Sequence, residues 1–165
     1  MEIQYAGITA DGSSLLAATD NVVCIVEVRP SRFIEEIPFA SQLLYLIVHR
    51  YVIYLLSMDS AVVAHDVYSG KSSRLQMESA AMAIALDGRM LAVTTAAQLI
   101  FHDLDFNHIR SAAISLSKRS RDQIFGGAKP DIALAITSAT AFCGGSANQI
   151  RIVRYNRILD GTDKR

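Results

Sequence analysis

The sequence predicts an all-β protein: a partial or small β-propeller of about four four-stranded antiparallel blades. Two observations predict this fold. Short apolar runs with the period-two alternation of β-strands recur along the whole chain, separated by turn residues. These runs group into units of about 40 residues with four runs in each, which is the spacing of a propeller blade.

The clearest repeat is a pair of segments that align without a gap. Residues 11–28 read DGSSLLAATDNVVCIVEV, and residues 87–104 read DGRMLAVTTAAQLIFHDL. Both begin with Asp-Gly, which favours the positive-φ positions of a tight turn, and both end with an apolar, an acidic and an apolar residue. Each segment therefore predicts a β-hairpin, the second and third strands of one blade.

Two further copies of this hairpin complete the repeat. In three copies an acidic residue stands at the end of the second strand, and in the fourth copy Arg154 replaces it. The segments are 51–56, 62–67 and a turn at 68–71 for the second copy, and 139–143, a Gly-Gly-Ser turn at 144–146 and 150–155 for the fourth.

The remaining apolar runs predict the first and last strands of the blades. We place the blades at about 1–40, 41–78, 79–116 and 131–155, with an insertion at 117–130 and a C-terminal tail at 156–165. Little sequence remains for a last strand in the fourth blade. The predicted first strands are 3–8, 43–48, 80–86 and 132–136, and the predicted last strands are 33–39, 73–77 and 109–116.

The repeat resembles the WD40-repeat family of β-propellers. Asp-Gly at 11–12 and 87–88 stands where family repeats often have a turn before the second strand, and His65-Asp66 and His102-Asp103 stand where the family has Trp-Asp. The chain contains no Trp, so the family's buried Asp–His network is not assigned to residues here. The resemblance implies a non-catalytic scaffold that binds other proteins.

The resemblance implies about seven or eight blades in a closed ring, more than the four predicted here. An open set of blades has unpaired edge strands that invite pairing with another chain. Three arrangements follow: a fragment of a longer propeller, a subunit that completes its ring with a partner, or a small four-bladed ring.

Composition favours a subunit of a larger assembly. The chain is 51% hydrophobic and 19% charged, against about 25% charged residues in an average globular chain. Cys24 and Cys143 both lie in apolar runs, and we interpret them as free, buried thiols. The cysteine usage and the absence of a signal-peptide pattern predict an intracellular protein, cytoplasmic or nuclear.

One apolar stretch, residues 43–56, has the composition of part of a membrane span. His49 and Arg50 interrupt it at its middle, and each apolar half is far shorter than the about 20 residues of a spanning helix. We therefore predict two strands joined by a His-Arg turn, and no membrane segment.

The residues that carry enzyme chemistry form no recognisable pattern. The four histidines lack metal-ligand spacing, and the repeat explains His65 and His102, which occupy equivalent positions. The glycine pairs at 126–127 and 144–145 lack the frame of a phosphate-binding loop, and no Gly-x-Ser-x-Gly segment is present. We predict no catalytic site, metal, cofactor or small-molecule substrate.

Charge is unevenly distributed along the chain. Residues 1–109 contain 6 basic and 12 acidic residues, whereas residues 110–165 contain 10 basic and 4 acidic ones. The basic half predicts contacts to an acidic protein surface or to RNA phosphates. In the insertion, Ser117 and Ser120 flank Lys118-Arg119 and are candidate phosphorylation sites that would oppose such contacts. The candidate contact residues are Lys118, Arg119, Arg121, Lys129, Arg151, Arg154 and Arg157.

Two functions from different classes account for these features. The first is a scaffold subunit that mediates protein–protein interactions within a larger intracellular complex, with a protein partner that completes the propeller. The second is binding of RNA or another anionic ligand through residues 110–165, for example in a ribonucleoprotein. Anionic lipid ranks last, because the paired-Arg motif of phosphoinositide-binding propellers is absent.

Overall fold

The computed structural model describes residues 3–19, 21–28, 31–38, 41–114, 132–136, 140–145 and 150–154. These residues form antiparallel β-sheets, which confirms the predicted all-β class. Within them, no helix has the length and apolar character needed to cross a membrane. The chain divides into two compact units, residues 1–78 and residues 79–165.

The first unit consists of two four-stranded sheets, each a meander in which consecutive strands pair. The strands of sheet 1 are β1 (Tyr5–Ile8), β2 (Ser14–Ala18), β3 (Val22–Val28) and β4 (Ser31–Pro38), and those of sheet 2 are β5 (Leu43–His49), β6 (Val52–Ser57), β7 (Ala61–Asp66) and β8 (Ser72–Gln76).

Tight turns connect these strands where the sequence predicts them. Gly12 has a φ of 72° and Gly70 a φ of 65°, values that favour glycine. In the β5–β6 hairpin His49 pairs with Val52, so Arg50 and Tyr51 form a two-residue turn. Residues 43–56 are therefore two strands joined by a tight turn, as predicted, but the turn consists of Arg50 and Tyr51 and His49 belongs to β5, one residue away from the predicted His-Arg turn.

Sheets 1 and 2 pack face to face through one apolar cluster. Side chains alternate between the two faces of a strand, so every second residue of β2 and β3 points toward sheet 2. We call these four residues, Leu16, Ala18, Val23 and Ile25, the packed face of sheet 1; they are 0% exposed and cluster with Leu43, Ile53, Leu55 and Val67 of the second half of the unit.

Gly7 shows how closely these sheets approach. It pairs with Leu16 in the β1–β2 ladder, and a Cβ atom at Gly7 would lie 2.6 Å from Cγ2 of Val48. Glycine at this position therefore allows β1 to contact β5. The hydroxyl group of Tyr5 on the same strand donates a hydrogen bond to the carbonyl oxygen of Leu44.

The second unit contains sheets 3 and 4. Met90, Ala92, Leu99 and Phe101 form the core of sheet 3, and Leu134 of sheet 4 packs against it. The strands of sheet 3 are β9 (Ala81–Asp87), β10 (Met90–Thr95), β11 (Gln98–Asp103) and β12 (His108–Ala113); the described strands of sheet 4 are β13 (Ile132–Ile136), β14 (Thr140–Gly145) and β15 (Ile150–Arg154).

The fourth hairpin differs from its predicted form. Gly144 and Gly145 were expected in a turn, but β14 continues through both of them. Gly144 pairs with Ala133 on one side and with Ile150 on the other. Ladder hydrogen bonds on both sides extend the strand in spite of the low β-propensity of glycine.

Candidate interaction surface

The surface of sheet 1 opposite its packed face is apolar and exposed. One row of cross-strand neighbours runs across the sheet: Ile8 pairs with Leu15, Leu15 with Val26, and Val26 with Phe33. Ile8 and Phe33 are each 55% exposed and Leu15 is 45% exposed. Cross-strand partners point to the same side of a sheet, so these four residues form one surface, which we call the open face.

The sequence repeat shows that this degree of exposure is unusual for these positions. In the ungapped alignment Leu15 corresponds to Leu91, which is 0% exposed. Extending the same offset into the first strand aligns Ile8 with Ile84, which is 2% exposed. The same apolar positions are thus buried in sheet 3 and exposed in sheet 1.

Sheet 2 shows how an equivalent surface is covered within the first unit. Its corresponding row is Val48, Ile53 and His65, joined by the same cross-strand pairing. Ile53 is fully buried in the cluster that contains the packed face of sheet 1, and Val48 packs against that cluster. A sheet face of this type is therefore covered by the packed face of a neighbouring sheet.

Cys24 lies beside the open face and corrects one prediction. It pairs with Ala17, two residues along β2 from Leu15, and its side chain is partly exposed instead of buried. The reason is that no described residue of the unit packs over this side of sheet 1. Partial burial, followed by the Glu36 carboxylate 3.9 Å away, raises the pKa of the thiol.

A buried histidine links sheet 1 to sheet 2 on the packed side. The Nε2 atom of His65 lies 3.1 Å from Oε2 of Glu35, and its Nδ1 atom lies 2.8 Å from the hydroxyl oxygen of Ser72. His65 is only 1% exposed. Both ring nitrogens therefore have partners, which satisfies the hydrogen-bonding requirement of a buried polar group.

A second polar contact joins the turns of the two sheets. The hydroxyl group of Tyr68 donates a hydrogen bond of 2.6 Å to Oδ2 of Asp11, and the rings of Tyr68 and Tyr51 lie 4.6 Å apart. This hydrogen bond, followed by those from Ser13 and Thr9, holds the pKa of Asp11 far below its usual range. The turn predicted at Asp11 thus anchors sheet 1 on sheet 2.

His102 has the repeat position of His65 but different partners. Its Nδ1 atom lies 3.3 Å from the carbonyl oxygen of Phe106, and its buried Nε2 atom has no hydrogen-bond partner among the described residues. Burial is the main cause that lowers the pKa of His102. Within the same described ranges, no group of three or more His, Cys, Asp or Glu residues is arranged to hold a metal ion.

The side chains of the candidate contact residues of the basic half lie outside the part of the chain that the structure describes. Arg151 and Arg154 lie on β15, where the structure describes the backbone alone. The other basic candidates and both serines lie outside the described residues; these are Lys118, Arg119, Arg121, Lys129, Arg157, Ser117 and Ser120.

Sequence reasoning did not identify the open face. Apolar residues on both sides of β2 and β3 indicate a strand covered on both faces, and nothing in the run distinguishes the exposed Leu15 from the buried Leu16. Two general features of the sequence indicated an uncovered apolar surface without locating it. These are the excess of apolar residues and a number of blades too small for the closed ring that the resemblance implies.

Comparison with solved structures supports the propeller-like fold. The chain is similar to the computationally designed Ika4 protein, at 12% identity over 93% of this chain and 91% of that one, with a TM-score of 0.71. It is also similar to the β-propeller protein Hsv2 of Kluyveromyces marxianus, at 16% identity over 92% of this chain and 48% of that one, with a TM-score of 0.57.

The chain is also similar to the Hsv2 of Kluyveromyces lactis, at 16% identity and with a TM-score of 0.57. That alignment covers 93% of this chain and 46% of Hsv2. The chain thus spans less than half the length of Hsv2. No family model matches it, and no curated protein matches its sequence. These likenesses show an all-β, propeller-like fold, and the number of blades in the complete ring stays a prediction.

The repeat provides a matched test of the open face. We expect Leu91→Ala to lower the free energy of unfolding by about 2–5 kcal/mol, because it leaves a cavity in a buried site. Leu15→Ala should lower it by less than about 1 kcal/mol, because the side chain is already half exposed. Urea denaturation followed by circular dichroism at low protein concentration measures both. Equal losses would show that Leu15 is buried in the isolated chain.

The unpartnered nitrogen of His102 predicts a loss of stability in acid. Because the folded state lowers the pKa of His102 below the 6.5 of the free side chain, the unfolded state binds more protons. The contribution of His102 to the free energy of unfolding is complete above pH 6.5. It falls as the pH drops from 6.5 toward the lower pKa of the folded state, by at most about 1.4 kcal/mol per pH unit.

Urea denaturation between pH 5 and 8 measures this dependence. Val26 occupies the position of His102 in the first copy of the repeat. The variant His102→Val should therefore show a smaller change in the free energy of unfolding with pH. His49→Ala, at a partly exposed histidine of the first unit, serves as the control. An unchanged pH profile in His102→Val would assign the dependence to another group.

Proposed function

We propose that this chain is a non-catalytic scaffold subunit of WD40-like type that binds protein partners within a larger intracellular complex. The observation that supports it is the open face of sheet 1. Ile8, Leu15 and Phe33 are large apolar side chains that lie next to one another and are about half exposed. Contiguous exposed apolar surface of this kind marks protein-binding sites.

The form of the open face suits binding better than chemistry. Its row contains no titratable side chain, and the nearest ones, Cys24 and Glu36, lie toward one side of it. Polar contacts with sheet 2 hold sheet 1 in place: Glu35 contacts His65 on the packed side, and Asp11 accepts a hydrogen bond from Tyr68 at the turns. A surface whose sheet is held in place by such contacts loses less conformational freedom when a partner binds than a surface formed only on binding.

The test is recovery of partners from cells that express this protein. We expect Leu15→Asp to reduce the amount of specific co-purified proteins by about tenfold, because a charge at the centre of an apolar contact removes a main part of its binding energy. Quantitative mass spectrometry of affinity-purified complexes measures the change. Ala97→Asp, at an exposed turn residue of sheet 3, is the control. If both variants recover the same proteins in the same amounts, the open face is not the partner-binding surface.

Binding of RNA through the basic half is the second candidate, favoured by the excess of 10 basic over 4 acidic residues in 110–165. Replacing Lys118, Arg119 and Arg121 with alanine should reduce the slope of log affinity against log salt by about 2, since each lost phosphate contact on a single strand contributes about 0.7. Fluorescence anisotropy with an unstructured RNA oligonucleotide measures the slope.

The control for that measurement is Lys71→Ala with Arg89→Ala, two exposed cations of the acidic half. It should leave the slope unchanged. If the triple variant keeps the slope of the unaltered chain, or if RNA does not bind at low salt, only the protein-scaffold function remains.

A further inference from the structure

We propose that His102 is a pH-sensitive switch of the turn between β11 and β12. The neutral imidazole keeps the turn closed, and its protonation releases residues 103–108 while the rest of the hairpin stays paired. The switch goes beyond the proposed function and does not depend on the open face. Two observations support it: the buried position of the imidazole, and a shift in the strand pairing beside it.

The hydrogen bonds of His102 determine where an added proton goes. Its Nδ1 atom lies 3.3 Å from the carbonyl oxygen of Phe106. A carbonyl oxygen only accepts, so Nδ1 carries the proton of the neutral ring and Nε2 is unprotonated. The side chain is buried, and Nε2 has no partner among the described residues. Protonation therefore creates a buried charge and an unsatisfied donor, which favours movement of the ring into water.

The groups around His102 do not compensate for this charge. Burial is the main cause that lowers the pKa of His102, and His108, whose ring centroid lies 5.8 Å away, lowers it as well. The hydrogen bond to the turn and the charge of Asp103 oppose these effects without cancelling them. In the same cross-strand row, β10 contributes Leu91 and β9 contributes Leu86, which carry no charge.

The turn that His102 contacts has an unfavourable backbone conformation at one residue. Phe106 has a φ of 67°, which is uncommon for a bulky side chain. The carboxylate of Asp103 accepts hydrogen bonds from the backbone N–H groups of Asp105 and Asn107, at 3.0 and 2.8 Å. His102 adds the contact to the carbonyl group of Phe106 itself. Loss of that contact removes one of the interactions that hold Phe106 in this conformation.

A β-bulge separates the turn from the rest of the hairpin. Consecutive cross-strand pairs join residues 98–101 to residues 110–113. The register then shifts at Ile109, and His102 pairs with His108 beyond the shift. A bulge leaves one residue unpaired and disrupts the ladder locally. Opening of the turn therefore ends at the bulge, and Ile109 keeps its packing against the core of sheet 3.

The switch acts below pH 6.5, the ordinary pKa of histidine. In the open turn His102 has this ordinary pKa, whereas in the closed turn the pKa is lower. The ratio of open to closed turn therefore rises by at most about tenfold per pH unit as the pH drops between the two values. Hydrogen bonds from Asn107 hold the pKa of Asp103 below its ordinary 3.8, so this carboxylate stays ionised in the same range.

Amide hydrogen exchange followed by NMR on the full chain, from about pH 5 to 8, tests the switch. After correction for the intrinsic exchange rate, the amides of Asp103, Phe106 and Asn107 should lose protection by up to about tenfold per pH unit below 6.5. The amides that pair residues 98–101 with 110–113 should keep theirs. Nitrogen-15 NMR of the imidazole should show His102 protonating over the same range.

The variant His102→Val removes the titrating group, so protection of the turn should no longer depend on pH. His49→Ala, at a histidine of the first unit, should keep the dependence of the unaltered chain. Turn amides that stay protected while His102 protonates, or an equal loss in His102→Val, would overturn the switch. Loss of protection along the whole hairpin would also contradict it. If His102→Val does not fold, the agreement between imidazole protonation and turn opening in the unaltered chain decides.

Discussion

The structure of the first unit depends on one constraint: a β-sheet with apolar residues on both faces needs a neighbour on each. Sheet 1 meets this requirement on its packed side, where Leu16 and Ile25 are buried in one cluster with Ile53 and Leu55. Burial of each large apolar side chain contributes about 1.5–3 kcal/mol. The opposite side of the same sheet repeats the apolar pattern without a described neighbour, and that difference makes it the candidate interaction surface.

The polar contacts between sheets 1 and 2 have a smaller and more specific role. A typical hydrogen bond contributes about 0.5–1.5 kcal/mol net, less than the burial of one large apolar side chain. The contact of His65 with Glu35 instead favours the observed alignment of the two sheets, because losing it would leave Nε2 of a buried imidazole without this partner. The contact of Tyr68 with Asp11 has the same effect at the turns.

His65 and His102 show how one repeat position acquires two behaviours. The sequence places both before the acidic residue that ends a strand, and both are buried. His65 finds a carboxylate on β4, whereas Nε2 of His102 has no partner among the described residues. The repeat therefore predicts the location of each imidazole, and the surrounding strands determine its hydrogen bonds.

The sequence by itself determined the class of fold, the order of the strands and most of their bounds. Period-two alternation and the Asp-Gly turns are local signals, so β13 was predicted at the bounds observed, and Gly12 has the positive φ that its turn requires. The turn predicted at Gly144 and Gly145 was wrong. Pairing of β14 with strands on both sides outweighed the local preference of glycine for a turn.

Tertiary structure alone decided which apolar residues are covered. Leu15 and Leu91 occupy the same place in the repeat and have the same side chain, yet one is 45% exposed and the other 0%. The physical reason is that exposure is a property of neighbouring sheets, whereas a strand's own sequence specifies only which side each residue faces. The candidate interaction surface is for this reason a consequence of packing.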